Sequence, residues 1–255
     1  MDELRRQNYL RMMGVTQWRL RQADSEVIPQ PVVEAEADVT RAEQPAPASD
    51  VFEPTKSVNV SVDRSDWLTL REQVQACRQC GLRAGCSQTV FGVGNEQADL
   101  LVIGEAPGAD EDRQGEPFVG RAGQLLNAML LAMGFKREAV FIANIVKCRP
   151  PDNRDPAAEE ASACQDYLLR QIALIQPKLI LSVGRISAQN LLETDIAVGK
   201  LRGRVHSFGG INIPLVVTYH PAYLLRSPEQ KGKAWQDLQL ALSVLGPVSR
   251  DQGQA

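Results

Sequence analysis

The chain of 255 residues contains no run of 18 or more apolar side chains, so no membrane-spanning helix is expected. Its amino terminus, MDELRRQNYLRMMG, has no apolar stretch ahead of a small-residue cleavage site, which argues against a secretory signal. The expected compartment is the cytoplasm. Histidine is scarce: His206 and His220 are the only two, few for a zinc-dependent hydrolase. Lysine is missing from the glycine-rich stretch 104–126, GEAPGADEDRQGEPFVGRAGQLL, and the order GxxxxGK[ST] does not occur. Phosphate cradling by that route is therefore excluded. Cysteine is sparse and odd in number, at five. In a reducing compartment such residues read as metal ligands or reactive thiols rather than disulfides. No internal repeat is visible.

Hydrophobic residues make up 44% of the chain, enough for a real core. The net charge of −3 argues only weakly against nucleic acid, because it is unevenly spread. Residues 23–66 carry ten acidic and three basic side chains, which leaves residues 67–255 close to neutral and able to bind DNA through a local patch. The same segment, rich in Pro, Ala and acid and without periodicity, predicts a disordered linker. Ahead of it, residues 1–22 hold a short island, YLRMMGVTQWRLR (9–21), too small for a core of its own. It reads either as a frayed terminal helix or as a peptide that folds on a partner, a Trp among Arg residues being a common interface anchor. The folded domain is expected over 67–245, with a flexible tail at 246–255.

Within that domain apolar runs alternate with helical patterns. Residues 98–104, 140–146, 178–183 and 213–219 predict strands; 67–77, 121–133, 157–175, 185–193 and 229–244 predict helices. Continuous apolar strands between helices predict a parallel sheet covered on both faces, a three-layer α/β/α sandwich. Asp155-Pro156 and Ser227-Pro228 have the form of helix starts. Function in such sheets gathers at the carboxyl ends of the strands. There the chain supplies GEAPG, ANIVKCRP, SVGR and TYHPAY.

Cys77 and Cys80 form CRQC, Cys148 follows a strand in KCRPP, and Cys164 lies in the helix 157–175. A single CxxC is a redox pair or half of a metal site, and loose cysteines are often small hydrophobes. Four thiolates suit zinc or an iron–sulfur cluster; without a second CxxC, a zinc ribbon is the less natural choice. Cys86 reads as a free thiol.

The glycine-rich loop carries five acids, Glu105, Asp110, Glu111, Asp112 and Glu116. Carboxylates at a strand's carboxyl end position water, bind metal or accept a substrate N–H. Phe118 is either a local core anchor or a stacking platform. Asn144, in an otherwise apolar strand, is either a structural hydrogen bonder or an amide facing a ligand with both a donor and an acceptor. His220 directly follows the last strand. His206, in a hairpin-like stretch, reads as structural.

GEAPGADEDRQGEPFVGRAGQLL, NIVKCRPP and HPAYLLR, with C-x2-C and C-x15-C around them, resemble the family 4 uracil-DNA glycosylases over residues 67–245. The resemblance implies a sandwich around a four-stranded parallel sheet. It also implies a [4Fe–4S] cluster held by Cys77, Cys80, Cys148 and Cys164, and hydrolysis of the bond between uracil and deoxyribose in single- or double-stranded DNA. It places Glu105, Ala106, Pro107, Phe118, Asn144 and His220 around a flipped uracil. In that reading Phe118 stacks on the base, Asn144 reads its edge and His220 donates to O2. Glu105 or Glu111 manages the water. The related GQDPYH motif of other uracil glycosylases has its water-positioning Asp where this chain has Ala106. The segment PAYLLRS resembles a loop that enters the duplex, with Leu224 or Leu225 as wedge and Arg226 on phosphate. A monomer is expected. Residues 13–21, MGVTQWRLR, are similar to the amino-terminal peptide of the clamp-loader psi subunit, which implies the chi subunit as partner. The competing expectation is an idle glycosylase-fold subunit that serves the replisome through that peptide.

Overall fold

Four short apolar segments, each enclosed on both faces, form the centre of the sheet. The structure, a computed structural model, describes residues 67–209 and 212–246 together with Gln7, Arg11, Met13 and Gly14. The central strands are β2 (Leu100–Gly104), β3 (Phe141–Asn144), β4 (Leu179–Val183) and β6 (Ile213–Thr218), all parallel. Two edge strands, β1 (Val93–Gly94) and β5 (Val205–Phe208), run antiparallel to β3 and β6, giving the order β1-β3-β2-β4-β6-β5. The expected parallel core is present. The edges extend it to six strands: β1 is only two residues long and β5 is mostly exposed, so neither carries an apolar signal. The β5–β6 pair forms the hairpin around His206, whose Nε2 lies 2.6 Å from the Leu201 carbonyl.

Alternation along the strands divides the core. Leu101, Ile103, Phe141, Ala143, Ile180, Leu215 and Val217 face one side, where they join α1 (Trp67–Ala76), α5 (Ala158–Ile175) and α6 (Arg185–Leu192). Leu100, Val102, Ile142, Leu179, Leu181 and Val216 face the other, with α4 (Arg121–Met133), α8 (Pro221–Arg226) and α9 (Lys231–Leu245). This is the period of two expected of strands in a three-layer sandwich. The long helices begin and end close to the sequence expectation, because each has an amphipathic face to bury. The short helices α2 (Leu82–Gly85), α3 (Ala109–Gln114), α7 (Val198–Leu201) and α8 were not foreseen. The segment after His220 is therefore a helix rather than an open loop, started by Pro221 at its first turn.

Parallel register brings the functional ends together. Gly104 pairs with Asn144 and Val183 with Thr218, so the carboxyl ends of all four central strands lie along one edge. Among the described residues no helix is long and apolar enough to cross a membrane. The linker 23–66, the tail beyond 246 and most of the peptide 9–21 lie outside the described residues. Of that peptide, Met13 is fully buried in the cluster that contains Leu224 and Trp235.

One close approach ties α4 to the acidic loop. A Cβ on Gly123 would stand 1.8 Å from the carbonyl oxygen of Phe118, which excludes any side chain there without displacement. Gly123→Ala is expected to lower stability by about 1–3 kcal/mol through overpacking. A fall in the urea midpoint at unchanged slope would show it.

Candidate active site

The site begins where β2 ends. Gly104 has no side chain, and a Cβ there would lie 2.5 Å from Asn144 Oδ1 and 2.6 Å from Phe118 Cζ. Backbone, aromatic ring and carboxamide thus meet in one place. Asn144, at the end of β3, is 2% exposed. Among the described residues its carboxamide has no hydrogen-bond partner, so its donor and its acceptor are free for a ligand.

Phe118 reaches this point through a strained backbone, with φ at 55°. Two groups hold it there. Glu111 accepts from the N–H groups of Val119 at 3.0 Å and Gly120 at 3.2 Å with one oxygen, and from Gly108 at 3.1 Å with the other. Arg137 donates to the carbonyls of Pro117 at 2.5 Å and Phe118 at 3.3 Å, and to Asn127 Oδ1 at 3.0 Å. Asp112, on α3, ties that helix to the segment after α2 by accepting from Ser87 N at 2.9 Å. The three acids in the first turn of α3 also suit the positive end of a helix.

His220 caps α8: its Nδ1 accepts from Ala222 N at 3.1 Å. In the neutral ring the hydrogen then sits on Nε2, which makes that nitrogen a donor. Burial, helped by Arg226, pulls the imidazole down to about 4, so it is neutral at ordinary pH. Its ring lies 5.7 Å from that of Phe118, centroid to centroid, tilted by 31°. Gly184, with φ at 102°, leaves room for it at the end of β4; a Cβ there would touch the His220 Cβ at 3.0 Å.

Glu105 and Glu111 differ. Glu111 spends both oxygens on backbone donors and is a brace of the loop. Glu105 is half-buried, and burial together with a hydrogen bond and repulsion from Asp155 raises it to about 7. Arg185, paired with Asp155, pulls the other way. Ala106 is partly buried and Pro107 buried beside them. On α8, Leu225 is 37% exposed and Arg226 is exposed. Leu224, expected as an alternative wedge, is fully buried in the core and has no surface to offer a duplex. Helix phase decides between the two neighbours.

Cys77, Cys80, Cys148 and Cys164 line one cavity, closed by Val74, Leu82, Lys147 and Tyr167. Burial and the neighbouring thiols push Cys148 upward, and burial does the same to Cys164. Among the described residues no three His, Cys, Asp or Glu side chains converge closely enough to hold a single metal ion. Cys86, outside the cavity lining, is buried, and its thiol donates to the Arg83 carbonyl at 3.7 Å. Lys147 is fully buried; desolvation lowers it to about 8 and Cys164 opposes the fall.

Sequence reading brought out Glu105, Phe118, Asn144 and His220, which the fold gathers at one sheet edge. It missed Arg137, Lys147 and the Asp155–Arg185 pair. Their partners are carbonyls or side chains on other segments, which no local pattern reveals.

A model of the uracil DNA glycosylase superfamily matches residues 91–239. The chain is 44% identical over 163 residues to a type-4 uracil-DNA glycosylase of Archaeoglobus fulgidus, covering 62% of this chain and 82% of that protein. Against the type-4 enzyme of Pyrobaculum aerophilum it is 41% identical over 179 residues, 68% of this chain and 91% of the other. Against that of Thermotoga maritima it is 39% identical over 178 residues, 68% and 92% of the two chains. Similarity of this extent, over the same residues that build the sheet and its carboxyl edge, shows that the chain belongs to the uracil-DNA glycosylase superfamily.

Proposed function

We propose that the pocket formed by Gly104, Phe118, Asn144 and His220 receives a flipped uracil and that Glu105 directs the water that replaces it on the sugar. The chain is a DNA-repair hydrolase, a uracil-DNA glycosylase that releases free uracil and leaves an abasic site. The observation that carries the residue assignment is the unpartnered Asn144 carboxamide held against the Phe118 ring.

Each step follows from a group's chemistry. The target nucleotide leaves the stack, with Leu225 and Arg226 on the exposed side of α8 facing the DNA. Phe118 supports the flat base. Asn144 accepts from N3–H and donates to O4; cytosine reverses that pattern and leaves buried groups unpaired. As the glycosidic bond breaks, negative charge grows on the uracil, and Nε2–H of neutral His220 donates to O2. The sugar becomes positive, which favours an ionised Glu105 nearby. The carboxylate then takes a proton from water as oxygen bonds to the sugar carbon.

A [4Fe–4S] cluster held by Cys77, Cys80, Cys148 and Cys164 fits the same reading. Supporting it, the four thiols line one cavity, and four thiolates suit an iron–sulfur cluster. Such a group supplies a cross-link here, since hydrolysis needs no electron. In residues 9–21 the island with Trp18 is read as the binding peptide for the clamp-loader chi subunit. The linker behind it then acts as a tether that raises local concentration near replicating DNA.

Release of uracil from a single-stranded oligonucleotide with one deoxyuridine tests the assignment. Asn144→Ala is expected to lower kcat/KM by roughly two orders of magnitude; a variant as active as wild type would remove Asn144 from the pocket. The pH profile tests Glu105. Because its protonated form is favoured below about 7, kcat/KM should rise with pH through that value and level off above it. Asp155→Asn removes the charge that adds to burial in raising Glu105, so the rising limb should move to lower pH. An unmoved limb would assign it to another group. A pull-down with purified chi, comparing wild type with Trp18→Ala, decides the partner reading: capture by wild type alone supports it, and no capture by wild type ends it.

A further inference from the structure

Lys147 is 1% exposed, yet it has no carboxylate partner among the described residues. Its ammonium donates to the main-chain oxygen of Asn144 at 2.9 Å and to Gln171 Oε1 at 2.7 Å. Gln171, itself without exposure, passes the chain on to the Phe91 carbonyl at 2.9 Å. Neutral acceptors alone do not offset the desolvation of a buried cation. Beside it lies the cysteine cavity, which Lys147 lines together with Cys77, Cys80, Cys148 and Cys164. A cluster in four thiolates carries net negative charge, since the thiolates outweigh the cluster's own charge.

We infer that Lys147 is a positioning residue with two duties: its ammonium balances the anionic group held by the cysteines, and the same nitrogen fixes the main chain of Asn144, the base-reading residue. The inference rests on the cluster and Asn144 readings proposed above. It joins two sites that are adjacent in sequence but chemically unrelated. Charge in the cavity keeps the ammonium in place, and the ammonium keeps the Asn144 carbonyl in place. Asn144 is the last residue of β3, so its carboxamide moves with that carbonyl. A residue that merely filled space would be replaced without loss by an apolar chain of similar length.

The full-length protein is purified anaerobically as wild type and Lys147→Met. Three quantities are read: the rate at which ferrozine extracts iron, the inhibition constant of free uracil in the release assay, and the melting temperature as a check of folding. Lys147→Met is expected to fold, to lose iron about tenfold faster and to bind free uracil about tenfold more weakly. A folded variant with the wild-type iron-loss rate, or with the wild-type uracil constant, overturns the inference. Should Lys147→Met not fold, Lys147→Gln, which keeps a donor without the charge, is expected to lose iron faster while holding uracil more nearly as wild type does; iron loss at the wild-type rate overturns the inference there too. A wild type that purifies without iron defeats the cluster reading itself, and this inference with it; one that carries iron but releases no uracil defeats the Asn144 assignment instead.

Discussion

The carboxylate of Glu111 holds the acidic loop over the strand ends, and the pocket depends on it. Its two oxygens accept from Gly108, Val119 and Gly120, which brings the two ends of the α3 segment together. Phe118 sits just before Val119 and Gly120, in a backbone conformation that a bulky residue adopts only when its surroundings enforce it. Arg137 provides the opposing hold on the Pro117 and Phe118 carbonyls. With this frame the acidity of the loop becomes intelligible. Asp110 pairs with Arg113, and Asp112 accepts from Ser87 and Gln88. With Glu111, three of the five acids are spent on architecture. Glu105 is the one whose neighbours leave it chemically poised.

Burial acts on the two titratable groups of the pocket in opposite directions with a common result. It lowers His220 and raises Glu105, so both are pushed toward their neutral forms. In the proposed mechanism that is the useful state for His220. An imidazolium would put a fixed positive charge close to a sugar that is itself becoming positive, whereas the neutral ring still donates through Nε2–H. The Ala222 N–H on Nδ1 selects the tautomer, so orientation and protonation are set by one hydrogen bond. For Glu105 the useful state is the ionised one. Arg185 favours that state, while burial and Asp155 oppose it. Arg185 is tied to Asp155, so part of its charge is already engaged.

The central strands were legible in the sequence because they are buried on both faces, which makes them continuous apolar runs. β1 and β5 were not, since a pair of residues next to glycine and a mostly exposed edge carry no such pattern. Phe118, Asn144 and His220 stood out as residues of the wrong polarity for their place: an aromatic in a polar loop, an amide in an apolar strand, a histidine at a strand end. Arg137 and Lys147 did not, because an arginine or lysine in sequence looks solvated until the fold shows what surrounds it. Leu224 and Leu225 are indistinguishable as letters. Only the phase of α8 turns one into the core and the other outward.

The segment 144–148 explains why a cysteine site belongs beside a base pocket at all. Beyond the end of β3 the ladder continues: Ile145 N donates to the Gly104 carbonyl at 3.1 Å and Val146 N to that of Glu105 at 3.2 Å, while the Lys147 carbonyl accepts from Val90 at 2.7 Å. The main chain of Glu105, the side chain of Asn144 and the thiol of Cys148 are therefore mounted on one hydrogen-bonded strip. Parallel strands have no tight turn to fix the chain after a strand end, so the segment that leaves it must be held by other means. A cross-link through the proposed ligands Cys77 and Cys80, just beyond α1, and Cys164 of α5 would be such a means. In the proposed reading, a group held there would stiffen the carboxyl edge through main-chain geometry, and hydrolysis at that edge would draw no electron from it.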